Sequence, residues 1–185
     1  MSPEQQQTTT LLYTPEQRIL RDQTVWTPVQ GFLAIFQFLV FLVSLVLVLR
    51  CLSGPGGPGG PIGAEWAQWA KWSIILKTLT LYTIMITGSI WEKVVFGKYL
   101  FAKAFFWEDV VSMGVIALHT VYIFSLFYSF MSLEQQLLLI LGAYTAYVIN
   151  AVQFLLKLRA ARLQEEKKRA ENSQIPMNDS EGLMA

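Results

Sequence analysis

The chain has 185 residues, 54% of them hydrophobic and 15% charged, with a formal net charge of +1. Soluble domains carry roughly 25% charged residues, so the composition excludes an ordinary soluble domain, and the near-neutral balance gives no reason to expect a nucleic-acid partner. A single cysteine, Cys51, excludes an internal disulfide and any multi-cysteine metal site.

Residues 1–12 form a Gln/Thr-rich arm expected to be disordered. Tyr13–Thr24 ("YTPEQRILRDQT") reads as a short amphipathic helix, with Thr14 as its cap, Pro15 in the first helical position and Glu16 at the positive end of the helix. Trp26 and Pro28 mark entry into a first long apolar block. Four such blocks, near Val29–Cys51, Trp72–Val95, Val110–Met131 and Gln136–Leu156, each meet the length of about 20 residues that a helix needs to cross a hydrocarbon core. The expected fold class is therefore an all-α integral membrane protein with four transmembrane helices, built from residues 13–163. The first block is long and lacks the basic start of a cleavable leader, so it is expected to stay in the mature protein.

Between the first two blocks lies "SGPGGPGGPIG", a Gly/Pro linker read as a flexible loop. Trp66, Trp69 and Trp72 follow at three-residue steps and read as an interfacial aromatic collar. Lys77, near the start of the second block, is expected to snorkel to the surface. The connection around Ser132–Gln135 is short, which makes the last two helices an antiparallel hairpin. Residues 164–185 form a charged tail, expected to extend from the last helix and then to be partly disordered. Orientation follows from the basic residues near the span ends. Eleven lysines and arginines fall on the side of the two termini and the second loop, against Arg50 and Lys71 on the other. Both termini and the second loop are thus expected in the cytoplasm, in a multi-pass membrane protein. The tail's basic start also suits anionic lipid headgroups.

Each span carries one polar stripe. Gln30, Gln37 and Ser44 share a face of the first, and Thr80, Thr83 and Thr87 share one on the second. The third aligns Glu108, Ser112, Val115, His119 and Tyr122, and the fourth Tyr147, Asn150, Gln153 and Lys157. Interhelical hydrogen bonding explains such residues singly; convergence on one polar lumen explains them together. His119, the only histidine, lies about 16 Å along its helix from Glu108. It suits either a structural hydrogen bond or a metal ligand.

Ser89–Met113 ("SIWEKVVFGKYLFAKAFFWEDVVSM") gathers Glu92, Glu108 and Asp109 with Lys93, Lys98 and Lys103 where two spans meet water. A helix dipole accounts for acids in the first turn of the third span, by about 0.3–1 kcal/mol. It does not account for Glu92, at the opposite end of its helix, which needs a cationic partner or a task. Clustered, half-desolvated carboxylates hinder one another's ionisation and retain a proton, which makes a general acid.

Four strings, "YTPEQRILRDQTVWTPVQG", "FQFLVFLVSLVLVLR", "LKTLTLYTIMITGSIWEKVVFGKYLFAKAFFWEDV" and "YVINAVQFLLKLRAARL", together resemble the 3-vinyl bacteriochlorophyllide hydratases of bacteriochlorophyll biosynthesis. The resemblance runs from Tyr13 to Leu163. It implies a hydro-lyase that adds water across the 3-vinyl group of chlorophyllide a or a related bacteriochlorophyllide. It implies no redox cofactor, the magnesium belonging to the chlorin substrate. On that reading Glu92, Glu108 and Asp109 are the candidate catalytic residues. Lys93, Lys98 and Lys103 are candidate partners for the substrate propionate. His119 is a candidate axial ligand to the substrate magnesium, and Tyr122 and Asn150 are candidate contacts to the ring. Beyond pigment and bilayer, other enzymes of the pathway and further copies of the chain are the expected partners. The competing reading is a pigment carrier or assembly protein that binds chlorophyllide without changing it.

Overall fold

A computed structural model describes residues 12–174, all helix and connecting turns with no strand among them. The amino-terminal arm up to residue 11 and the last eleven residues lie outside the described part. Helix α1 (Pro15–Gln23) starts as the sequence predicts: Thr14 and Gln17 form a reciprocal capping box, and Pro15 takes the first turn. Thr27 Oγ1 then donates to the Arg21 carbonyl at 2.6 Å, which fixes the bend into α2 (Trp26–Ser53). Helix α3 spans Pro61–Phe96, α4 Phe106–Tyr128 and α5 Leu133–Gln174. Helices α2 to α5 are each long and apolar enough to cross a membrane.

Packing divides the bundle into two hairpins, α2 with α3 and α4 with α5. Their shared core holds Phe41, Val48, Ile74, Tyr122, Ile140 and Tyr144. Side-chain hydrogen bonds cross between helices, as expected for polar groups facing a bundle interior. Gln30 Nε2 donates to Thr87 Oγ1 at 2.7 Å, Tyr82 and Thr120 share a bond of 2.6 Å across the α3–α4 seam, and Ser44 joins both Ser73 and Tyr144.

Two expectations are corrected. The Gly/Pro segment is an ordered turn, not a flexible loop. Gly57–Gly59 form one 3₁₀ turn, and α3 starts at Pro61, eleven residues before Trp72. Proline suits a first helical position, and glycine permits the close approach. Gly56 (φ +83°) and Gly57 (φ +66°) are left-handed, and a Cβ on Gly63 would strike the Gly57 carbonyl and lie 2.9 Å from the Cys51 carbonyl. The second correction follows from the first. Lys77 lies 16 residues into α3, about 24 Å from its start, too far to reach the surface. Its side chain is 0% exposed, and the ammonium rests 3.5 Å from the centroid of the Tyr147 ring.

Candidate active site

The second loop closes the end of the bundle to which α1 is attached. Gly97, in a left-handed conformation (φ +78°), stops α3 and returns its N–H to the Lys93 carbonyl. The chain then folds back over the α3–α4 seam. Phe105 turns inward, stacking on Phe154 and meeting Trp91 and Phe96 edge-on; Tyr13 packs on the same cluster. Those rings seal the seam from the side of α1.

Beneath this loop the three predicted carboxylates come together. Glu92, Glu108 and Asp109 are 5%, 7% and 4% exposed, so none points into bulk solvent. Glu92, near the end of α3, faces Asp109, on the first turn of α4, so that two buried carboxyls are neighbours. Loop amides hold the pair from above. Ala102 N–H donates to Glu92 Oε2 at 3.3 Å, and Phe101 N–H donates to Asp109 Oδ2 at 2.8 Å. Phe101 reaches that position at φ +59°, a left-handed backbone that costs a bulky L-residue about 1–2 kcal/mol. A carboxylate therefore fixes a strained loop residue, and the loop orients the carboxylate in return. Among the described residues Glu92 has no cationic partner: its neighbours are a second acid and a backbone amide.

Glu108 is different. It accepts 2.6 Å from Lys157 Nζ of α5, and Lys157 also lies 5.1 Å from the centroid of Phe105. Glu92, Asp109 and Glu108 thus form a row, with an acid–acid contact at one end and an ion pair at the other. Among the described residues no group of three or more His, Cys, Asp or Glu converges to hold a metal ion.

The remaining predicted residues are not gathered here. Lys93, Lys98 and Lys103 are exposed around the rim; Lys93 donates 2.9 Å to the Gly97 carbonyl and lies over the Tyr99 ring. Asn150 is one turn further in, donating 2.6 Å to Ser112 Oγ. His119 is 0% exposed in the bundle interior, and its ring lies beside that of Tyr144. Its Nδ1 is 2.8 Å from the Val115 carbonyl, which only accepts, so this nitrogen carries the proton and Nε2 keeps a lone pair. Tyr122 is equally deep. It borders a cleft of about 270 Å³ with Lys71 and Gln136 at the Gly/Pro end. A second cleft, about 380 Å³, runs along the α3–α4 seam between Trp72, Tyr82 and Phe127. The Tyr82–Thr120 bond lies between that cleft and the carboxylates.

Two features of the site escaped the sequence reading. Lys157 appears there only as a member of the fourth polar stripe and a tail charge, although its spacing from Asn150 and Gln153 and its depth pair it with Glu108. The other is a run of exposed rings, Tyr99, Phe101, Phe106 and Trp107, with Phe101 and Phe106 centroids 5.8 Å apart and Phe106 and Trp107 5.5 Å apart. Large apolar rings exposed beside buried acids offer a flat, amphiphilic molecule a platform.

The family model described as 2-vinyl bacteriochlorophyllide hydratase matches residues 13–160. A curated 2-vinyl bacteriochlorophyllide hydratase of Rhodobacter capsulatus is 55% identical over 153 residues, covering 83% of this chain and 84% of the relative. Its counterpart from Cereibacter sphaeroides is 57% identical over 155 residues, covering 84% and 91%. No solved structure matches. The chain belongs to the 2-vinyl bacteriochlorophyllide hydratase family.

Proposed function

We propose that the row Glu92–Asp109–Glu108 is the acid–base centre with which this hydratase adds water to the vinyl group of a bacteriochlorophyllide. Family membership carries the reaction class, a hydro-lyase step in bacteriochlorophyll biosynthesis. The vinyl is the 3-vinyl of one tetrapyrrole numbering and the 2-vinyl of the other. The observation that carries the site is the unequal environment of the three acids. Two neighbouring buried carboxyls repel each other when both are charged, so Glu92 and Asp109 are read as holding one proton between them. Glu108, in an ion pair with Lys157, is the carboxylate able to accept one. Acid and base thus stand side by side, which is how neighbouring carboxyls divide such work.

The step runs as follows. The Glu92–Asp109 proton goes to the terminal vinyl carbon, and the two π electrons form the new C–H bond. The positive charge falls on the carbon attached to the ring, where the macrocycle delocalises it and the adjacent carboxylates stabilise it. Water adds there, and Glu108 takes the proton it releases. Return of that proton to the Glu92–Asp109 pair restores the row and leaves a 1-hydroxyethyl group. Addition of water needs no net electron transfer, so no redox cofactor is called for; the magnesium is the substrate's own.

The pigment is read as lying at the membrane boundary on the Tyr99–Trp107 rings, its propionate near Lys93, Lys98 or Lys103. Eleven basic residues on this side against two on the other support a cytoplasmic location for it and for both termini, in a bacterial inner membrane. His119, Tyr122 and Asn150 touch the same pigment only if it stands along the α3–α4 seam. His119→Ala tests that arm: loss of pigment affinity supports axial ligation, and unchanged affinity removes it.

The deciding assay incubates membranes carrying the protein with the vinyl pigment in ¹⁸O-water. A hydratase yields pigment heavier by one labelled water. A carrier binds pigment and leaves its mass unchanged. Glu92→Gln and Glu108→Gln are expected to bind pigment and fail to convert it; full turnover by both variants overturns the site assignment.

A further inference from the structure

Among the described residues, five side-chain atoms inside the bundle are buried with no hydrogen-bond partner in the protein. They are Gln37 Oε1, Lys77 Nζ, His119 Nε2, Asn150 Oδ1 and Gln153 Oε1. All four long helices contribute, and the residues follow one inner path. Lys77 lies against the Tyr147 ring and 5.9 Å from the centroid of Phe41, and Phe41 packs edge-on against Tyr144, the ring beside His119. Gln37 is one turn before Phe41 on the same face of α2. From Tyr147, steps of three, three and four residues along α5 reach Asn150, Gln153 and Lys157, which holds Glu108. The path is about 15 Å long and ends at the carboxylate row.

The chemistry of these five atoms selects the occupant. Lys77 needs acceptors. The two Gln oxygens, the Asn oxygen and the His119 lone pair need donors. A cation is repelled by Lys77, and an anion is repelled by four acceptors. Water both donates and accepts, and a buried water makes about three hydrogen bonds. We infer that the bundle interior holds a file of ordered water leading from Lys77 and His119 to Glu108, and that this file delivers the water consumed in hydration. The second half rests on the hydratase reading; the location of the water does not.

Hydroxyl-radical footprinting of the full-length protein in lipid nanodiscs tests the first half without any turnover. Radicals form on water, so the buried ring of Tyr144 and the half-buried ring of Tyr147 are modified where water lies beside them. Tyr144 and Tyr147 are expected to be modified at a rate comparable to exposed Tyr99. If both stay unmodified at doses that consume Tyr99, the interior is dry and the inference is overturned. Gln37→Leu and Gln153→Leu test the second half. Each is expected to lower Tyr147 modification and to reduce kcat about two- to tenfold, the loss expected for one hydrogen bond, at unchanged pigment KM. Lost modification with unchanged kcat places water inside but removes its part in the reaction. Absence of any hydration by the wild-type protein fails the hydratase reading alone, because the footprint is read independently.

Discussion

At one end of the bundle the chain turns from α2 into α3 with backbone and small residues only. Cys51, Gly54, Gly60 and Gly63 let the backbone of the turn close on itself, and among the described residues no charged side chain hydrogen-bonds to it. At the other end the turn from α3 into α4 closes over three acids, a lysine and a residue in a left-handed conformation. Both turns do the same mechanical task of reversing an apolar helix at the membrane edge. The first shows that this needs no carboxylate or ammonium group. Reversal as such therefore does not call for acids; at the second turn Glu92 and Asp109 hold the loop amides, and catalysis is the further role proposed for the row.

Substitutions at the two ends sharpen that contrast. The largest expected effect is Asp109→Asn. It removes half of the proposed proton-holding pair, so turnover in the ¹⁸O assay is expected to fall about 10²- to 10⁴-fold while pigment binding, read by absorbance, persists. Next is Lys157→Met, which strands Glu108 beneath the loop without its cation; thermal unfolding in detergent is expected to show a loss of about 3 kcal/mol, with activity falling alongside. At the Gly/Pro end, Gly63→Ala forces a methyl onto the Gly57 carbonyl. The expected loss is about 1–3 kcal/mol of stability, with kcat per folded molecule unchanged. A fall in kcat there would erase the distinction between the two ends. The smallest effects belong to Lys93→Gln, Lys98→Gln and Lys103→Gln, each expected to raise pigment KM by less than about fivefold because the groups are exposed and screened by salt.

Much of the fold was legible because the bilayer imposes length and apolarity on each span, and α2 to α5 carry both signals. The helix cap at Thr14 is local, so it can be read from adjacent residues. The start of α3 was not legible, since glycine and proline weaken a helix on average while a proline at the first position and glycines at a close crossing favour this one. Lys77 was misplaced for that reason alone. The acids were found through their shared depth and through Glu92, which stands against its own helix dipole. What the sequence withheld was their division into a pair and a separate ion pair. That depends on how the 97–105 loop folds and on Lys157, which is 49 residues from Glu108 along the chain.

Lys77 also bears on how the protein is built. A lysine at the middle of a helix adds about 2.5–3.5 kcal/mol to the cost of entering the bilayer, and α3 is the least apolar of the four spans. Its predecessor α2 has apolar length to spare, and the Gly54–Gly63 turn leaves almost no slack between them. The two segments are therefore suited to leave the translocon as one unit, with the charged side chain already turned toward its neighbour. Lengthening that turn would expose α3 to the membrane alone, and its topology, rather than its catalysis, would be the first thing lost.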